Sequence, residues 1–363
     1  MLKLTFRYLI TGALFILLLN ACTHHSTNAE RAVYYWKIHN WTLTNGELKH
    51  LKELEIQKMY VKFFEVEPDE LFGSIPTAKM NLYIPEKTSD YLLEEDSTLP
   101  ASLANINIVP TVFIRNEVFY NSRKSAMDTL ADNIIFLCNK YYTSGIRNRP
   151  GDYEELHIDC DWTAKTKDLY FYLLKTLKKL SGKTISCTLR LYPYKYPDLM
   201  GIPPADKATL MCYNLVNPIE NKHKNSIQIN EELEKYLKNA PAYPLHLDIA
   251  LPVFSWMQVY QNNQFAAILN GNQINLNHFA TQKDSLWYEM TEDVEVGDIY
   301  LRIGDKIKLE DFNEQETYET IDLLKKYIAF DDSTTVTLFH LDEDNMKKYN
   351  DETYTHFFTR FSE

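Results

Sequence analysis

Two aspartates two positions apart, Asp159 and Asp161, are the side chains of this 363-residue chain best suited to chemistry. The alternation of residues 154–163 predicts a β-strand, with both aspartates on one face and Cys160 on the other. Paired carboxylates at the end of a strand can exchange protons with a substrate or hold it in place. The alternative is a polar layer inside a barrel, in which each aspartate is bonded to a neighbouring lysine or arginine.

Other predicted strand ends supply candidate binding residues. Arg190 shares the parity of Ser186 and Thr188, so we expect it to reach the same end of the sheet, where it can bind a carboxylate or sulfate group. Trp36 and Trp162 are candidate aromatic platforms on which a ligand can stack, and for both the alternative is a packed core.

The elements that must position these residues alternate between strand and helix. Such alternation predicts a mostly parallel sheet, and eight candidate strands favour a closed (β/α)8 TIM-type barrel with its chemistry at the carboxyl ends of the strands. A hairpin-rich excursion, residues 258–310, follows the seventh strand, with turns at Asn262-Asn263 and Gly304-Asp305. The predicted strands cover residues 32–38, 58–66, 107–115, 154–163, 184–192, 208–215, 244–256 and 334–340.

Three short motifs carry a resemblance to a known family. Residues 158–162, IDCDW, resemble the core of the DxxDxDxE motif on the fourth strand of family 18 glycoside hydrolases, which include chitinases and endo-N-acetylglucosaminidases. Residues 211–214, MCYN, resemble the M-x-Y-[DN] motif of their sixth strand, and Trp256 is similar to the late tryptophan that floors their sugar site. The resemblance implies that Asp161, Tyr213 and Asn214 hold the acetamido group of an N-acetylated sugar.

The chain departs from that motif at its catalytic position. Thr163 stands where the family has its glutamate, and a threonine hydroxyl is far too weak an acid to protonate a leaving oxygen near pH 7. Glu65, at the end of the second predicted strand, is the best-placed substitute acid. Glu67, Asp248 and Glu292 stand behind it.

A metal site formed by Asp159, Asp161 and Asp248 is a further alternative, but no histidine cluster supports it. We therefore expect no metal and no cofactor. If the face of the second predicted strand that carries Lys62 points into the barrel, Lys62 can neutralise the charge of Asp159.

The amino-terminal residues predict a membrane anchor. A basic start and an apolar run to Leu19 are followed by Asn20-Ala21-Cys22, which resembles the lipobox of bacterial lipoproteins. The resemblance implies cleavage before Cys22 and lipidation of its thiol. We thus expect a signal peptide (residues 1–21), a tether (residues 22–31) and a single barrel domain (residues 32–363). The expected location is the cell envelope, at the outer membrane and facing the periplasm.

Composition narrows the partners. The formal net charge of −12, without a basic run, argues against nucleic acid and anionic lipid surfaces. The cysteines other than Cys22 lack metal-ligand spacing and are expected to be small buried hydrophobes, with one disulfide as the alternative. The resemblances to family 18 and to the lipobox imply a glycoside-hydrolase-like barrel, anchored to a membrane, that acts on or recognises a glycan. Its alternative is a non-catalytic glycan-binding envelope lipoprotein that has lost the catalytic acid.

Overall fold

The computed structural model describes residues 29–37, 43–79, 103, 105–145 and 152–363. Within these residues no helix is long and apolar enough to cross a membrane. Cys22 and the predicted signal peptide lie outside the described residues, as do residues 80–102.

The strands of the described residues form one large sheet and two smaller ones. In chain order they are β1 (Glu30–Tyr35), β2 (Lys58–Asp69), β3 (Gly73–Thr77), β4 (Asn107–Ile114), β5 (Glu155–Asp159), β6 (Thr184–Leu189), β7 (Lys207–Met211), β8 (His246–Pro252), β9 (Ser255–Gln261), β10 (Gln264–Asn270), β11 (Ala280–Gln282), β12 (Trp287–Met290), β13 (Val294–Val296), β14 (Ile299–Leu301), β15 (Lys306–Asp311) and β16 (Thr335–Phe339).

Most of the helices follow strands of the large sheet. The helices are α1 (Asn45–Glu53), α2 (Lys124–Gly145), α3 (Lys167–Ser181), α4 (Leu191–Lys195), α5 (Pro197–Met200), α6 (Asn230–Leu237), α7 (Leu276–Phe279), α8 (Glu314–Tyr327), α9 (Glu343–Met346) and α10 (Asp351–Thr359). The exceptions are α7, which lies between β10 and β11 of a smaller sheet, and α8, which follows β15 of the same smaller sheet.

Eight parallel strands close into a barrel, which confirms the predicted fold class. Their order is β1, β2, β4, β5, β6, β7, β8 and β16, and β1 pairs in parallel with both β2 and β16. The carboxyl ends of these strands meet at one end of the barrel, called the mouth below. Strand β3 adds to β2 in antiparallel pairing and is not among the predicted strands.

Helix α3 shows why the helices lie on the outside of the barrel. Tyr170, Leu173, Leu174 and Leu177 are buried and recur at the spacing of one helix face, so that face packs against the barrel. The helix ends at Gly182, whose φ of 65° places it in the left-handed region that terminates helices.

The chain leaves the barrel after β8 and builds a separate antiparallel sheet. The predicted seventh strand, residues 244–256, was wrong in its length, because it divides into β8 of the barrel and β9 of the added sheet. The first predicted hairpin is confirmed as β9 and β10, with Asn262 and Asn263 both at positive φ in the turn. The second was wrong in its pairing, because β14 pairs with β13, and β15 pairs with β12 and β9.

Candidate functional site

Asp159 and Asp161 lie at the mouth end of β5, on the face that the alternation predicts. Asp159 is buried, 7% exposed, and its carboxylate accepts a hydrogen bond from the Thr188 hydroxyl at 2.6 Å. Asp161, two residues further on, has 51% of its side chain exposed. Cys160 between them belongs to the hydrophobic layer that packs against the helices, together with Tyr170. The predicted orientation of the three residues is therefore confirmed.

Asp159 has an unusual affinity for a proton. Burial, and after it the negative charge of Asp161, raise the pKa of the Asp159 carboxyl to about 6. The hydrogen bond from Thr188 and the charges of Arg190 and Lys62 act in the opposite direction but do not outweigh them. Asp159 can therefore take up a proton only slightly below neutral pH, whereas an ordinary aspartate needs a much more acidic solution.

Arg190 binds Asp161 through two hydrogen bonds. Its Nε donates to Oδ1 at 2.6 Å and its Nη2 donates to Oδ2 at 2.9 Å. Burial opposes the charge of Arg190, but the bond to Asp161 outweighs burial and raises the pKa of the guanidinium above its usual range. Arg190 thus reaches the mouth as predicted, where it fixes the plane of one of the chain's own carboxylates.

Tyr213 and Asn214 follow β7 and present polar atoms without partners. The Tyr213 hydroxyl and the Asn214 Oδ1 are buried and have no hydrogen-bond partner among the described residues. Burial raises the pKa of Tyr213 well above its usual range, and nearby charges on Asp159 and Asp161 add to this. The hydroxyl therefore stays protonated and can donate a hydrogen bond. The group formed by Asp159, Asp161, Arg190 and Tyr213 is called the mouth cluster below.

Aromatic rings pack around the mouth cluster. Phe339, at the end of β16, stacks on Tyr213 with ring centroids 5.1 Å apart and an interplanar angle of 25°. Phe254 lies edge-on to Tyr213, Phe339 and Trp256. Trp36 packs against Phe339 at 5.7 Å. Trp36 and Trp256 were candidates from the sequence, but Phe339 was not, although Phe339 is the residue before the last of the predicted eighth strand.

Glu65 enters the mouth because β2 is irregular. The pairing of β2 with β4 shifts between Lys62 and Phe64, so Phe63 and Phe64 both join the hydrophobic layer under the helices. Glu65 then pairs with the buried Lys62 at 2.6 Å, and the Lys62 ammonium also lies 5.2 Å from the centre of the Trp36 ring. Lys62 is therefore ion-paired with Glu65, and its charge is also among those that lower the pKa of Asp159.

Thr163 and Trp162 turn away from the mouth cluster. The Thr163 hydroxyl lies 3.2 Å from that of Thr166. Trp162 is 4% exposed, its ring stacks on Tyr170 at 5.3 Å, and its indole nitrogen donates to the Met200 carbonyl. Of the two alternatives for Trp162, this packing favours the core over an open stacking surface.

A separate polar layer fills the barrel beneath the mouth. Glu155 and Asp248 form ion pairs with Lys207 at 3.2 and 2.9 Å, and Lys58 lies 3.6 Å from Glu155. Burial opposes the charge of Asp248, but its hydrogen bond with His246 and the charge of Lys207 lower the pKa of that carboxyl to about 2. Asp248 is therefore ionised at neutral pH and cannot serve as the substitute acid.

The remaining carboxylates lie apart from the mouth cluster. Glu67 pairs with Arg115 at 2.6 Å, and Glu292 is exposed in the connection between β12 and β13. Across the described part of the chain, no three histidine, cysteine, aspartate or glutamate side chains are grouped to hold a metal ion. Cys138, Cys160, Cys187 and Cys212 are free and buried, as small hydrophobes would be.

The added sheet holds the loop that carries Tyr213 and Asn214. Lys308 on β15 is fully buried and donates to the carbonyls of Asn221 and Lys224 at 2.8 and 2.9 Å. It also pairs with the fully buried Glu310 at 2.6 Å. A buried lysine must be paired and hydrogen-bonded to be tolerated, so these contacts fix the loop of residues 212–229 against the sheet.

A cavity of about 420 Å³ opens beside the Asp161–Arg190 pair. Its walls include Tyr192 and Leu199, which are 46% and 52% exposed. The Tyr192 ring lies 4.8 Å from that of Tyr196, which is also partly exposed. The charged end of the mouth cluster therefore borders an open apolar surface large enough for a small molecule.

Comparisons with known proteins identify the fold class. No protein-family model and no curated protein matches the chain. Among solved structures, the Group IV chitinase of Ostrinia furnacalis matches with a TM-score of 0.54 and 10% identity, over 92% of this chain and 100% of that one. Catalytic domain 2 of a Group II chitinase from the same organism matches at 0.51 and 10% identity, over 91% and 96% of the two chains. The spore cortex-lytic enzyme SleL of Bacillus megaterium matches at 0.49 and 13% identity, over 90% and 73%. The chain shares the (β/α)8 barrel of chitinases.

Proposed function

We propose that the protein binds a glycan containing N-acetylated sugars in the mouth of its barrel and does not hydrolyse it. The observation that carries the proposal is the buried Tyr213 hydroxyl without a partner, beside the charges of Asp159, Asp161 and Arg190. Leaving a buried polar group unpaired costs about 1–3 kcal/mol, so such a group in a functional site indicates a missing ligand atom.

Carbohydrate chemistry suits this arrangement. A sugar presents hydroxyl and amide groups at its edge and an apolar face. The Tyr213 hydroxyl can donate to an acetamido carbonyl, the Asn214 Oδ1 can accept from an amide or hydroxyl, and the carboxylate of Asp161 can accept from a further donor. The rings of Trp36 and Trp256, each partly exposed at the mouth, offer apolar surface to the face of the sugar. The resemblance of residues 158–162 and 211–214 to family 18 supports the same assignment.

The two residues considered above as the catalytic acid, Thr163 and Glu65, support binding without turnover. Thr163, at the position that resembles the family's glutamate, cannot donate a proton near pH 7, and losing such help costs about 10²–10⁴ in rate. The carboxylate of Glu65 is already engaged in an ion pair with the buried Lys62 at 2.6 Å. Glycan binding without hydrolysis is the function that these contacts support best.

One observation favours a hydrolase as the second candidate. The raised pKa of Asp159 gives that carboxyl the proton affinity of a general acid. Glu65 on β2 and Asp159 on β5 are both paired with Phe113 on β4, the strand between them. Two strand spacings therefore separate their Cα atoms, a distance of about 10 Å. Carboxyl separations of about 6.5–9.5 Å are typical of inverting glycosidases, and this pair is the one to test.

The decisive experiment separates binding from turnover. Wild-type protein and Tyr213→Phe are titrated with chito-oligosaccharides and with neutral glucans, and Tyr170→Phe is the matched control because its hydroxyl is buried on the helix side beside Cys187. We expect Tyr213→Phe to weaken binding about tenfold and Tyr170→Phe to leave it unchanged. Equal affinity of the two variants, or no wild-type binding to any glycan, contradicts the proposal.

Turnover is assayed on the same panel. A binder releases no reducing sugar as wild type. A hydrolase releases it and loses about 10² or more in rate with Asp159→Asn or Glu65→Gln while still binding the glycan. Detectable wild-type hydrolysis that both changes abolish favours the second candidate.

The proposed location is the cell envelope, with the barrel tethered to the outer membrane through a lipid on Cys22 and facing the periplasm. The support is the sequence of residues 19–22 and the apolar run before it. A tethered barrel with an open mouth would hold glycan fragments near the membrane.

A further inference from the structure

A second cavity lies on the added sheet, outside the barrel. It has a volume of about 410 Å³ and is lined by residues of β9, β12 and β15 and by the loop of residues 212–229. Tyr260 and Trp287 form its aromatic floor, with ring centroids 5.2 Å apart and tilted by 51°. None of the mouth-cluster residues lines this cavity, so its ligand must be inferred from its own side chains.

Strand pairing places this cavity on the same face of the sheet as Trp256. Glu310 is paired with Trp256, Lys308 with Gln258, and Lys306 with Tyr260, and side chains two residues apart share a face. Four residues of extended strand carry the chain about 13 Å from Trp256 to Tyr260. The cavity therefore lies on the same face of the sheet as Trp256 but further from the mouth, past the loop of residues 212–229 that Lys308 binds.

Trp287 is held rigidly in this floor. Its indole nitrogen donates to the Lys222 carbonyl at 2.9 Å, and its backbone nitrogen donates to the Asp284 carboxylate at 2.9 Å. On the other side, Lys283 N donates to the Trp287 carbonyl at 2.8 Å. A ring fixed in this way can accept a ligand with little loss of side-chain entropy.

The charge of the cavity is opposite to that of the chain. Lys222, Lys283 and Lys306 line it with one carboxylate, Glu289, which gives a formal +2 in a protein of formal −12. The Lys222 ammonium lies 5.6 Å from the centre of the Tyr260 ring. Lysines gathered around an aromatic floor suit a ligand with an apolar face and a negative group at its edge.

We propose that this cavity, called the cationic pocket below, is a second carbohydrate-binding site for an acidic sugar, a ring that bears a carboxylate or a sulfate group. Its apolar face stacks on Trp287 and Tyr260, and its anionic group lies among the ammonium groups of Lys222 and Lys306. The site is independent of the mouth cluster, and either can fail a test while the other passes.

The test compares sugars that differ in charge. A hyaluronan hexasaccharide supplies carboxylates, a chondroitin sulfate hexasaccharide supplies sulfates as well, and chitohexaose is neutral. Binding is measured by calorimetry at low and at physiological salt. In the Tyr213→Phe background, which weakens the mouth site, we expect the acidic probes to bind more tightly than chitohexaose, with an affinity that falls as salt rises. The stronger of the two acidic probes identifies the anionic group.

The variant Lys222→Gln/Lys306→Gln removes two exposed charges without touching the core. It should weaken acidic-sugar binding about tenfold, whereas Lys49→Gln/Lys347→Gln, which removes two exposed lysines elsewhere, should not. Trp287→Ala, checked for an unchanged Tm, should weaken it as well. Equal affinity for neutral and acidic sugars, an unaffected lysine variant, or tighter binding of a thymidine hexanucleotide than of either acidic sugar overturns the proposal.

Discussion

Glu310 accepts a hydrogen bond from the indole nitrogen of Trp256 at 2.5 Å. The same carboxylate accepts from Ser226, from Gln258 and from the Lys308 ammonium, and both charged side chains are fully buried. One carboxylate on the added sheet thus orients a tryptophan at the barrel mouth and the loop that carries Tyr213. The added sheet is therefore part of the site's construction, although it supplies none of the mouth cluster.

The first prediction concerns this buried pair. Glu310→Gln should lower the free energy of unfolding by about 3–5 kcal/mol, because it leaves the Lys308 ammonium buried without a counter-charge. Chemical denaturation of wild type and variant measures the difference. Glu234→Gln is the control, since its partner Lys326 is exposed and the change should have no measurable effect.

The double variant Lys308→Met/Glu310→Gln distinguishes the lost charge pair from lost packing. It should recover most of the stability, since the uncompensated charge is gone. It should still bind chito-oligosaccharides less tightly than wild type, because the loop of residues 212–229 no longer has its three carbonyl contacts. A Glu310→Gln variant as stable as wild type would contradict this account of the loop.

The second prediction is a pH dependence of stability. Asp159 has a pKa of about 6 in the folded state, whereas an ordinary aspartate has a pKa of about 3.9, so the folded state binds the proton more tightly. Its protonation stabilises the fold at low pH, and this contribution is lost as pH rises from about 4 to about 6, a change of about 3 kcal/mol. Asp159→Asn, which keeps an acceptor for Thr188, should match wild type near pH 3.5 and exceed its stability above pH 6. A constant difference across that window would show that the titrating group is another one.

The third prediction moves that window. Arg190 is among the charges that lower the pKa of Asp159, so Arg190→Met should raise that pKa further and shift the loss of stability to higher pH. Arg360→Met is the matched control, because Arg360 makes a similar two-bond contact with Asp322 on the outer helices. The Asp159→Asn difference, measured again in each background, should shift only with the Arg190 change.

The barrel itself was predictable because its signals are local. Alternating apolar positions gave the strands, and the positions of Asp159, Cys160 and Asp161 followed from the pleat of one strand. Arg190 was placed at the mouth by the same parity, although the last two residues of its predicted strand, 191 and 192, begin α4. Where a residue's environment depends only on its own strand, the local sequence pattern is enough to predict that environment.

What escaped prediction depends on contacts between distant segments. Strict alternation would turn Phe64 inward and Glu65 outward, and only the shift of β2 against β4 reverses them. Trp256 was assigned to a barrel strand because residues 244–256 read as one apolar run, but the chain turns after β8 and the tryptophan enters another sheet. Phe339 stacks on Tyr213 across more than a hundred residues, which no local pattern reveals.

The last prediction concerns the anchor, which lies outside the described residues. If the Cys22 thiol carries the lipid, Cys22→Ser should leave an unprocessed precursor or release the protein from the membrane fraction, because serine has no thiol to be modified. Fractionation of expressing cells, with the mass of the mature protein, measures both outcomes. Cys138→Ala is the control, since that buried thiol has its pKa raised by burial and cannot take part.

A single lipid chain gives only reversible attachment and firm anchoring takes a second one. Membrane retention of the mature protein through a high-salt wash would therefore agree with a multiply acylated Cys22. Normal processing and membrane retention of Cys22→Ser would exclude it.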